Sequence, residues 1–145
     1  MSYTSLKGHM CRHAEYTILP LRHEDMQQIR IWRNEQMDVL RQKKAISKLE
    51  QEQYYLTHIK PTFNAEHPQQ LLFSFLHENM LIGYGGLVNI AWLDYRAEMS
   101  FLVSNKRRQD LSQYKKDMNS FIQIMKTVCF DALDFNKLFT ETFEF

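Results

Sequence analysis

The sequence is poor in the residues that define several protein classes. It contains only 4 glycines, 3 prolines and 2 cysteines among 145 residues, and its formal net charge is +1. Cys11 and Cys129 stand far apart, without a C-x-x-C or Cys/His spacing, which argues against a disulfide framework and a zinc site. The near-neutral charge gives no sign of nucleic-acid binding. We therefore expect no metal and no nucleic-acid partner.

Long apolar runs are also missing from the sequence. No segment approaches the roughly 20 apolar residues that cross a bilayer, and the first residues, MSYTSLKGHMCRH, lack the apolar core of a signal peptide. These features predict a cytoplasmic protein with no membrane partner. The length and composition are typical of one folded domain, so we expect residues 1–145 to form a single domain, with 1–15 as a flexible arm.

The pattern of apolar residues predicts an α/β fold with a mixed sheet and the element order β-α-α-β-β-β-α-β. Predicted strands cover 16–21, 71–76, 81–90, 96–103 and 137–145, and predicted helices cover 23–33, 47–61 and 118–133. The middle three strands are expected to be antiparallel. The crossover through the long helix is expected to bring the last strand parallel to the strand before it.

Two local patterns refine this prediction. Ser47 and Glu50 form an S-x-x-E capping box at the start of the second helix. Gly83, Gly85 and Gly86 do not fit GxGxxG, and no helix follows them. We therefore interpret them as part of a bulged strand that allows close approach of the backbone.

Four motifs occur in a defined order: IWRNE at 31–35, LIGYGGL at 81–87, RAEMSF at 96–101, and CF followed by FNKL within 129–138. Together they resemble the GNAT superfamily of acyl-CoA-dependent N-acetyltransferases, most closely its ribosomal-protein and amino-sugar branch. The resemblance implies a GNAT-like acyl-CoA N-acyltransferase fold, acetyl-CoA as co-substrate and a primary amine as acceptor. The expected acceptor is an amino sugar, nucleotide-linked or in a glycan, with a protein N-terminus second.

The resemblance also implies a site between the fourth and fifth predicted strands, which splay apart in this family. The backbone of Phe101, Leu102 and Val103 would bind the pantetheine arm, and the N–H of Leu102 or Val103 would polarise the thioester carbonyl. Glu98 would deprotonate the amine, directly or through water. The alternative for Glu98 is a solvated strand residue or an ion pair with Arg96.

The resemblance places further acceptor contacts on the first helix and the third strand. The residues expected there are Arg33, Asn34 and Tyr84. For Arg33 and Asn34 the alternative is a structural role, through helix capping and an ion pair with Glu35 or Asp38.

Two departures from the family pattern stand out. The family's pyrophosphate loop reads R/Q-x-x-G-x-G/A, but residues 104–118 contain no glycine. This segment is interpreted as a basic loop whose side chains either hold the phosphates of CoA or are simply solvated. The basic residues concerned are Lys106, Arg107, Arg108, Lys115 and Lys116.

The second departure lies at the C-terminal side, where the chain lacks the helix and two strands that usually follow the fifth strand. We expect either a truncated chain or a homodimer that covers the final strand. This expectation also keeps open an alternative function, a non-catalytic GNAT-like interaction or dimerisation module.

Overall fold

The computed structural model describes residues 2–6 and 12–140, which form one six-stranded mixed sheet with helices packed on both faces. The strands and helices are β1 (Arg12–His13), β2 (Tyr16–Pro20), α1 (Met26–Glu35), α2 (Lys48–Tyr54), β3 (Leu71–His77), β4 (Met80–Ala91), β5 (Arg96–Val103), α3 (Asn105–Gln109), α4 (Leu111–Lys126) and β6 (Lys137–Phe139). Strands neighbour one another in chain order. Among the strands of the described residues, β5 and β6 are the one parallel pair. The predicted fold class and the parallel crossover are confirmed.

The sheet is built on a meander of β3, β4 and β5. Glu78 and Asn79 connect the first two strands, and both have left-handed backbone angles (φ 51° and 66°). Two such residues in succession make the tight turn whose twist matches an antiparallel hairpin. The predicted turn at 77–79 is therefore confirmed.

Glycine is needed in β4 because β5 and α4 approach it closely. A Cβ atom at Gly85 would lie against the carbonyl oxygen of Ser100 and 2.9 Å from the Phe121 ring. A Cβ atom at Gly83 would lie against the carbonyl oxygen of Leu102. The predicted close approach of the backbone at these glycines is confirmed.

The stretch 104–117, predicted to be a loop, is helical instead. It contains α3 and the first turns of α4. Ser104 Oγ accepts a hydrogen bond from the Arg107 N–H, and the Asp110 carboxylate accepts one from the Gln113 N–H. Each is a helix N-cap. Lysine, arginine and glutamine are good helix formers, and the high polarity reflects an exposed helix surface.

The flexible arm expected over residues 1–15 is wrong for the residues that the structure describes. Tyr3 and Leu6 are only 1% and 5% exposed. The Tyr3 ring stacks on Phe63 at 5.0 Å, and its hydroxyl donates to the Leu72 carbonyl. Burial of a large aromatic ring anchors this segment. Residues 12–13 add a short strand, β1, beside β2.

The second and fourth helices each continue beyond their α-helical part. α2 passes into a π-helical turn at Tyr55–Ile59, and α4 into one at Thr127–Ala132. The helices predicted at 47–61 and 118–133 therefore end close to the expected residues. The predicted capping box at Ser47 is present. None of the helices in the described parts of the chain is long and apolar enough to cross a membrane.

The two cysteines are placed as follows. Cys129 is fully buried and unpaired, and its burial raises its thiol pKa to about 11. This agrees with its interpretation as a small buried hydrophobic residue. Cys11 and the part of the predicted last strand over 141–145 lie outside the described residues.

Candidate active site

The candidate site lies along residues 99–103 of β5, on the side that faces away from β4; this side is called the open edge of β5 below, because β4 is the strand partner of these residues in the described parts of the chain. β6 pairs with β5 only at residues 96–98. Beyond that point, from Met99 to Val103, β5 has only β4 as a strand partner among the described residues. In this register the next residues on the β6 side begin at Thr140, and 141–145 lie outside the described residues, so the expected splaying of the two strands stays a prediction.

The direction of each backbone group on β5 follows from the pairing with β4. The Ser104 N–H donates to the Ile82 carbonyl at 3.0 Å. In an antiparallel ladder the groups of alternate residues point the same way. The N–H and C=O of Leu102 therefore face β4, and those of Phe101 and Val103 face the open edge.

A side-chain contact supports this assignment. Gln36, the residue that ends α1, is buried, and its amide donates to the Val103 carbonyl at 2.8 Å. Of the two N–H groups expected to polarise the thioester, only that of Val103 is on the open side. This corrects the expectation for the backbone of Leu102, whose buried side chain contributes packing instead.

Glu98 lies where three strands still pair, opposite Val88 of β4 and Phe139 of β6. Its side chain is half-buried, and Oε2 accepts a hydrogen bond from Asn89 Nδ2 at 2.5 Å. The alternative partner, Arg96, is instead 3.8 Å from Asp94. At about 3.3 Å per residue, Glu98 is about 10 Å along the strand from the Phe101 N–H. Proton transfer over that distance needs a chain of waters.

Asn89 was not singled out in the sequence. It lies in an irregular part of β4, where the register with β5 shifts between Val88 and Ala91, and it has a left-handed backbone (φ 48°). A β-bulge redirects a side chain, and here it aims the Asn89 amide at Glu98. Asparagine in a strand next to a shift in alternation is the signal that points to such a bulge.

Arg33 and Tyr84 meet on the opposite face of the sheet from α4. Arg33 Nη1 donates to the Tyr84 hydroxyl at 2.6 Å. Burial raises the Tyr84 pKa, and the positive charge of Arg33 only partly offsets this. Both residues line a cavity of about 340 Å³ between α1, α2 and β4, together with Glu50 and Tyr54. The structure thus brings together two of the three predicted acceptor residues.

Asn34 has a different position. Its Nδ2 donates to the Ile46 carbonyl at 3.0 Å, and its Oδ1 accepts from the Ile46 N–H at 2.8 Å and from Gln42 at 2.9 Å. These bonds hold the connection between α1 and α2. The structural alternative therefore describes Asn34 better than an acceptor contact, although its partners are Ile46 and Gln42 and not Glu35 or Asp38.

Arg107 is part of a buried ion pair. Its Nε and Nη2 donate to the two carboxylate oxygens of Asp117 at 2.8 and 2.7 Å, and Asp117 is 0% exposed. Tyr16 and Gln113 also donate to Asp117, at 2.6 and 2.9 Å. Burial acts to raise the Asp117 pKa, but these hydrogen bonds and the Arg107 charge lower it overall. The expected role of Arg107 as a phosphate ligand is corrected, because its guanidinium ties α3 to α4.

The other basic residues of this segment do not converge on one point. Lys106, Lys115 and Lys116 are exposed, and Arg108 is half-buried. Lys116 lines a cavity of about 370 Å³ with Glu15, Tyr16 and His77. That cavity is on the β2 side of the sheet, away from the open edge of β5.

Among the described residues, Glu15, His77 and Glu78 form one group with the spacing of metal ligands, with ligand atoms within 4.8 Å of one another. His77 Nδ1 is 3.0 Å from Arg107 Nη2, so it accepts that hydrogen bond. Its Nε2, 3.3 Å from Glu15, then carries the proton. In this tautomer the imidazole offers no lone pair to a cation.

Comparison with known proteins identifies the family. A family profile described as "Acetyltransferase (GNAT) domain" matches residues 18–145. No curated protein matches the sequence. The fold has similar solved structures, among them spermidine N-acetyltransferase from Vibrio cholerae in complex with CoA and spermine. That structure is 19% identical, covers 88% of this chain and 71% of its own, and has a TM-score of 0.69.

Two further structures of the same Vibrio cholerae enzyme are similar. One is described as dodecameric, with 18% identity, coverage of 88% and 70%, and a TM-score of 0.65. The other contains manganese ions, with 20% identity, coverage of 88% and 68%, and a TM-score of 0.63. The chain belongs to the acetyltransferase (GNAT) domain family. It is therefore an N-acetyltransferase by family, as the sequence motifs implied.

Proposed function

We propose that this protein transfers the acetyl group of acetyl-CoA to the primary amine of an amino sugar. The observation that carries the proposal is the side of β5 that faces away from β4, which has the N–H groups of Phe101 and Val103 on it and Glu98 at the last described pair with β6. A thioester lying along this edge meets backbone donors for its carbonyl oxygen. An amine at the same point is within a water-mediated path to a carboxylate.

The reaction balances with these groups. Glu98 takes one proton from the acceptor ammonium through water, which frees the nitrogen lone pair. The nitrogen attacks the thioester carbonyl, so that the C–N bond forms and the C–S bond breaks. The second nitrogen proton goes to the departing thiolate, which leaves as the thiol. The protein contributes orientation and N–H groups aimed at the oxygen that gains charge.

The cavity between α1, α2 and β4 favours an amino sugar as the acceptor. It has one cation, Arg33, and one carboxylate, Glu50, so its charges cancel. The Glu50 carboxylate also accepts from the Ser47 N–H at 3.1 Å. Tyr54 and Tyr84 offer ring faces for a sugar, and Arg33 offers donors for hydroxyl groups. A polycation gains little from this balance of charge.

A polyamine is the second candidate acceptor. It is favoured by the solved structures with this fold, which are spermidine N-acetyltransferases. A panel of acceptors discriminates the two proposals: an amino sugar, its nucleotide-linked form, spermidine and a peptide with a free N-terminus. Acetylated products are measured by mass spectrometry. We expect the highest kcat/KM with an amino sugar, whereas a higher value with spermidine would overturn that choice.

The Glu98→Gln variant tests the proposed base. We expect kcat to fall about 100-fold, because a positioned general base contributes at least that factor, with thermal stability little changed. Glu66→Gln, at an exposed loop carboxylate, is the matched control. An activity of Glu98→Gln within threefold of the wild type would remove Glu98 from the mechanism.

Assembly and location complete the proposal. A homodimer that covers the final strand is proposed because Phe139 of β6 is 38% exposed, and an exposed apolar strand invites pairing. Light scattering after gel filtration tests it, and a monomer at micromolar concentration would refute it. The proposed location is the cytoplasm, which fractionation of expressing cells tests.

A further inference from the structure

We infer that the cavity at the end of the sheet where β4 turns into β5 binds an alkylated ammonium ion. This cavity has a volume of about 770 Å³. Its lining comes from the connection between β4 and β5, from the chain just before β6, and from residues 4–5 and 66–67. At about 3.3 Å per residue, Arg96 is about 20 Å along β5 from Val103. The cavity is therefore separate from the proposed site of acetyl transfer.

The charge of the lining favours a cation. Among the described residues, no lysine or arginine lines the cavity, and the formally charged side chains of its lining are carboxylates. One of them belongs to Asp134, which makes no hydrogen bond or ion pair through its side chain within the described parts of the chain. An unpaired carboxylate at a cavity attracts a positive charge into it.

The cations next to the lining segments in sequence, among the described residues, have other partners. Arg96 Nη2 is 3.8 Å from the Asp94 carboxylate. Lys137 Nζ is 5.9 Å from the centre of the Phe139 ring. Neither side chain belongs to the lining of the cavity. The Asp134 carboxylate therefore remains available to a ligand.

Aromatic rings form much of the wall of the cavity. The Trp92 ring lies 5.2 Å from the Phe135 ring at 82°, and the Tyr95 ring lies 6.4 Å from it, also at 82°. The His67 ring lies 4.9 Å from the Trp92 ring at 61°. Rings at such steep angles do not cover one another face to face, so ring faces are left to the cavity. The face of an aromatic ring, that of tryptophan above all, attracts a cation.

The polar groups of the lining favour an alkylated ammonium ion over a primary one. The Trp92 indole N–H already donates to the Pro68 carbonyl at 2.7 Å, so this ring offers only its face. Leu93 and Leu133 add apolar side chains to the lining. N-methyl groups pack against such surfaces, whereas a primary ammonium has three N–H groups that each need an acceptor.

Ser5 adds a second feature to the expected ligand. Its side chain lines the cavity, and its Oγ is buried without a hydrogen-bond partner in the part of the chain that the structure describes. Buried hydroxyl groups are normally hydrogen-bonded, and a hydroxyl on the ligand would supply the partner. Choline has both features, a quaternary ammonium and a hydroxyl group.

The backbone at two of the lining residues supports a use of their side chains. Tyr95 and Asp134 both have left-handed angles, with φ 54° and 55°. The Asn136 N–H donates to the Tyr95 carbonyl at 2.8 Å, which joins the two turns. This conformation is rare for a bulky residue and costs free energy. Such costs are typical of residues whose side chains take part in function.

The first experiment titrates the isotope-labelled protein with choline and with neopentylcarbinol, in which a carbon atom replaces the charged nitrogen of choline. Binding is followed by NMR at pH 8, where histidine is neutral, through the indole N–H signal of Trp92. Trp32 and Trp92 are the two tryptophans of the chain, so Trp92→Phe assigns the signal.

We expect choline to bind at least about fivefold more tightly than neopentylcarbinol, while the Trp32 signal stays in place. Equal affinity for the two compounds would overturn the inference, because the cavity would then bind apolar groups without regard to charge. The inference would also be overturned if about 50 mM choline left the Trp92 signal unchanged.

The second experiment removes the charge of Asp134. Asparagine adopts left-handed angles as readily as aspartate, so Asp134→Asn should fold normally, which thermal denaturation checks. We expect its affinity for choline to fall at least about threefold and its affinity for neopentylcarbinol to stay the same. Asp131→Asn, at an exposed aspartate outside the lining, is the matched control. Wild-type affinity for choline in Asp134→Asn would overturn the inference.

A pair of variants at Tyr95 tests the ring. Tyr95 is 53% exposed, so its replacement changes the core little. Tyr95→Asn removes the ring and suits the left-handed backbone, whereas Tyr95→Phe keeps the ring. We expect choline to bind at least about threefold more weakly to Tyr95→Asn, and as tightly as to the wild type in Tyr95→Phe. Equal affinity of the two variants for choline would contradict the inference.

Discussion

Two adjacent regions of the molecule differ in what their polar groups do. On β5, the N–H groups of Phe101 and Val103 point away from β4, to the side on which we propose that the donor binds. In the next segment, over residues 104–117, two caps use the N–H groups of Arg107 and Gln113, and one ion pair uses the Arg107 guanidinium, for the protein's own structure. One strand thus presents backbone groups on the side away from its paired neighbour, whereas the segment after it uses its polar groups as a structural support.

The largest expected effect on the free energy of unfolding comes from breaking the ion pair of Arg107 with Asp117. Asp117→Ala removes a carboxylate that is 0% exposed and leaves Arg107 without its buried partner. Breaking a buried ion pair from one side costs about 3–5 kcal/mol, and urea denaturation measures this loss. Asp131→Ala, at an exposed aspartate, should stay within about 0.5 kcal/mol. A loss below about 1 kcal/mol for Asp117→Ala would show that the pair does not hold the segment.

A second variant acts on the contact between β4 and β5. Gly85→Ala places a methyl group against the Ser100 carbonyl oxygen and 2.9 Å from the Phe121 ring. We expect a loss of about 2 kcal/mol, as overpacking usually costs, together with weaker donor binding because β5 must shift. Ala91→Val, at the end of the same strand, is the control. If Gly85→Ala keeps wild-type stability, the close approach of β4 to β5 does not constrain the edge.

Acid is expected to have a smaller effect on the free energy of unfolding, and this effect acts through Asp117 and not through β5. The pKa of Asp117 is lowered, since its hydrogen bonds and the Arg107 charge outweigh its burial. Its stabilisation is therefore complete above the unfolded pKa of about 4 and is lost as the pH falls through the folded value. Chemical denaturation from pH 6 to pH 3 should show a steeper loss for the wild type than for Asp117→Asn. Parallel curves would contradict this.

The strands of the site could be predicted from the sequence, and their contacts could not. The alternation in RAEMSF predicts β5 at residues 96–103, which are its observed bounds. The partner of Glu98 was missed because Asn89 reaches it only through a bulge in β4. Strand periodicity describes one strand at a time, and a bulge depends on the pairing of two.

The basic segment shows a different reason for failure. With the family resemblance, its charges left two predictions open, a loop that holds the phosphates of CoA and a loop that is simply solvated. Arg107 instead meets Asp117, ten positions further along the chain, because α3 and α4 turn at Asp110. A cation in a sequence does not reveal which carboxylate a helix boundary brings beside it. The available signal for the two helices was their N-cap residues, Ser104 and Asp110. Each side chain accepts a hydrogen bond from the N–H three residues further along the chain.

The place of β6 in the chain has a consequence for the order of folding. β3, β4 and β5 are consecutive antiparallel strands, whose contacts close short loops and form quickly. The pairing of Arg96 with Lys137 joins residues on either side of α3 and α4, so it closes a longer loop. We expect the meander of β3, β4 and β5 to form early and β6 to pair last. In the native state β6 should also separate first, without loss of the meander.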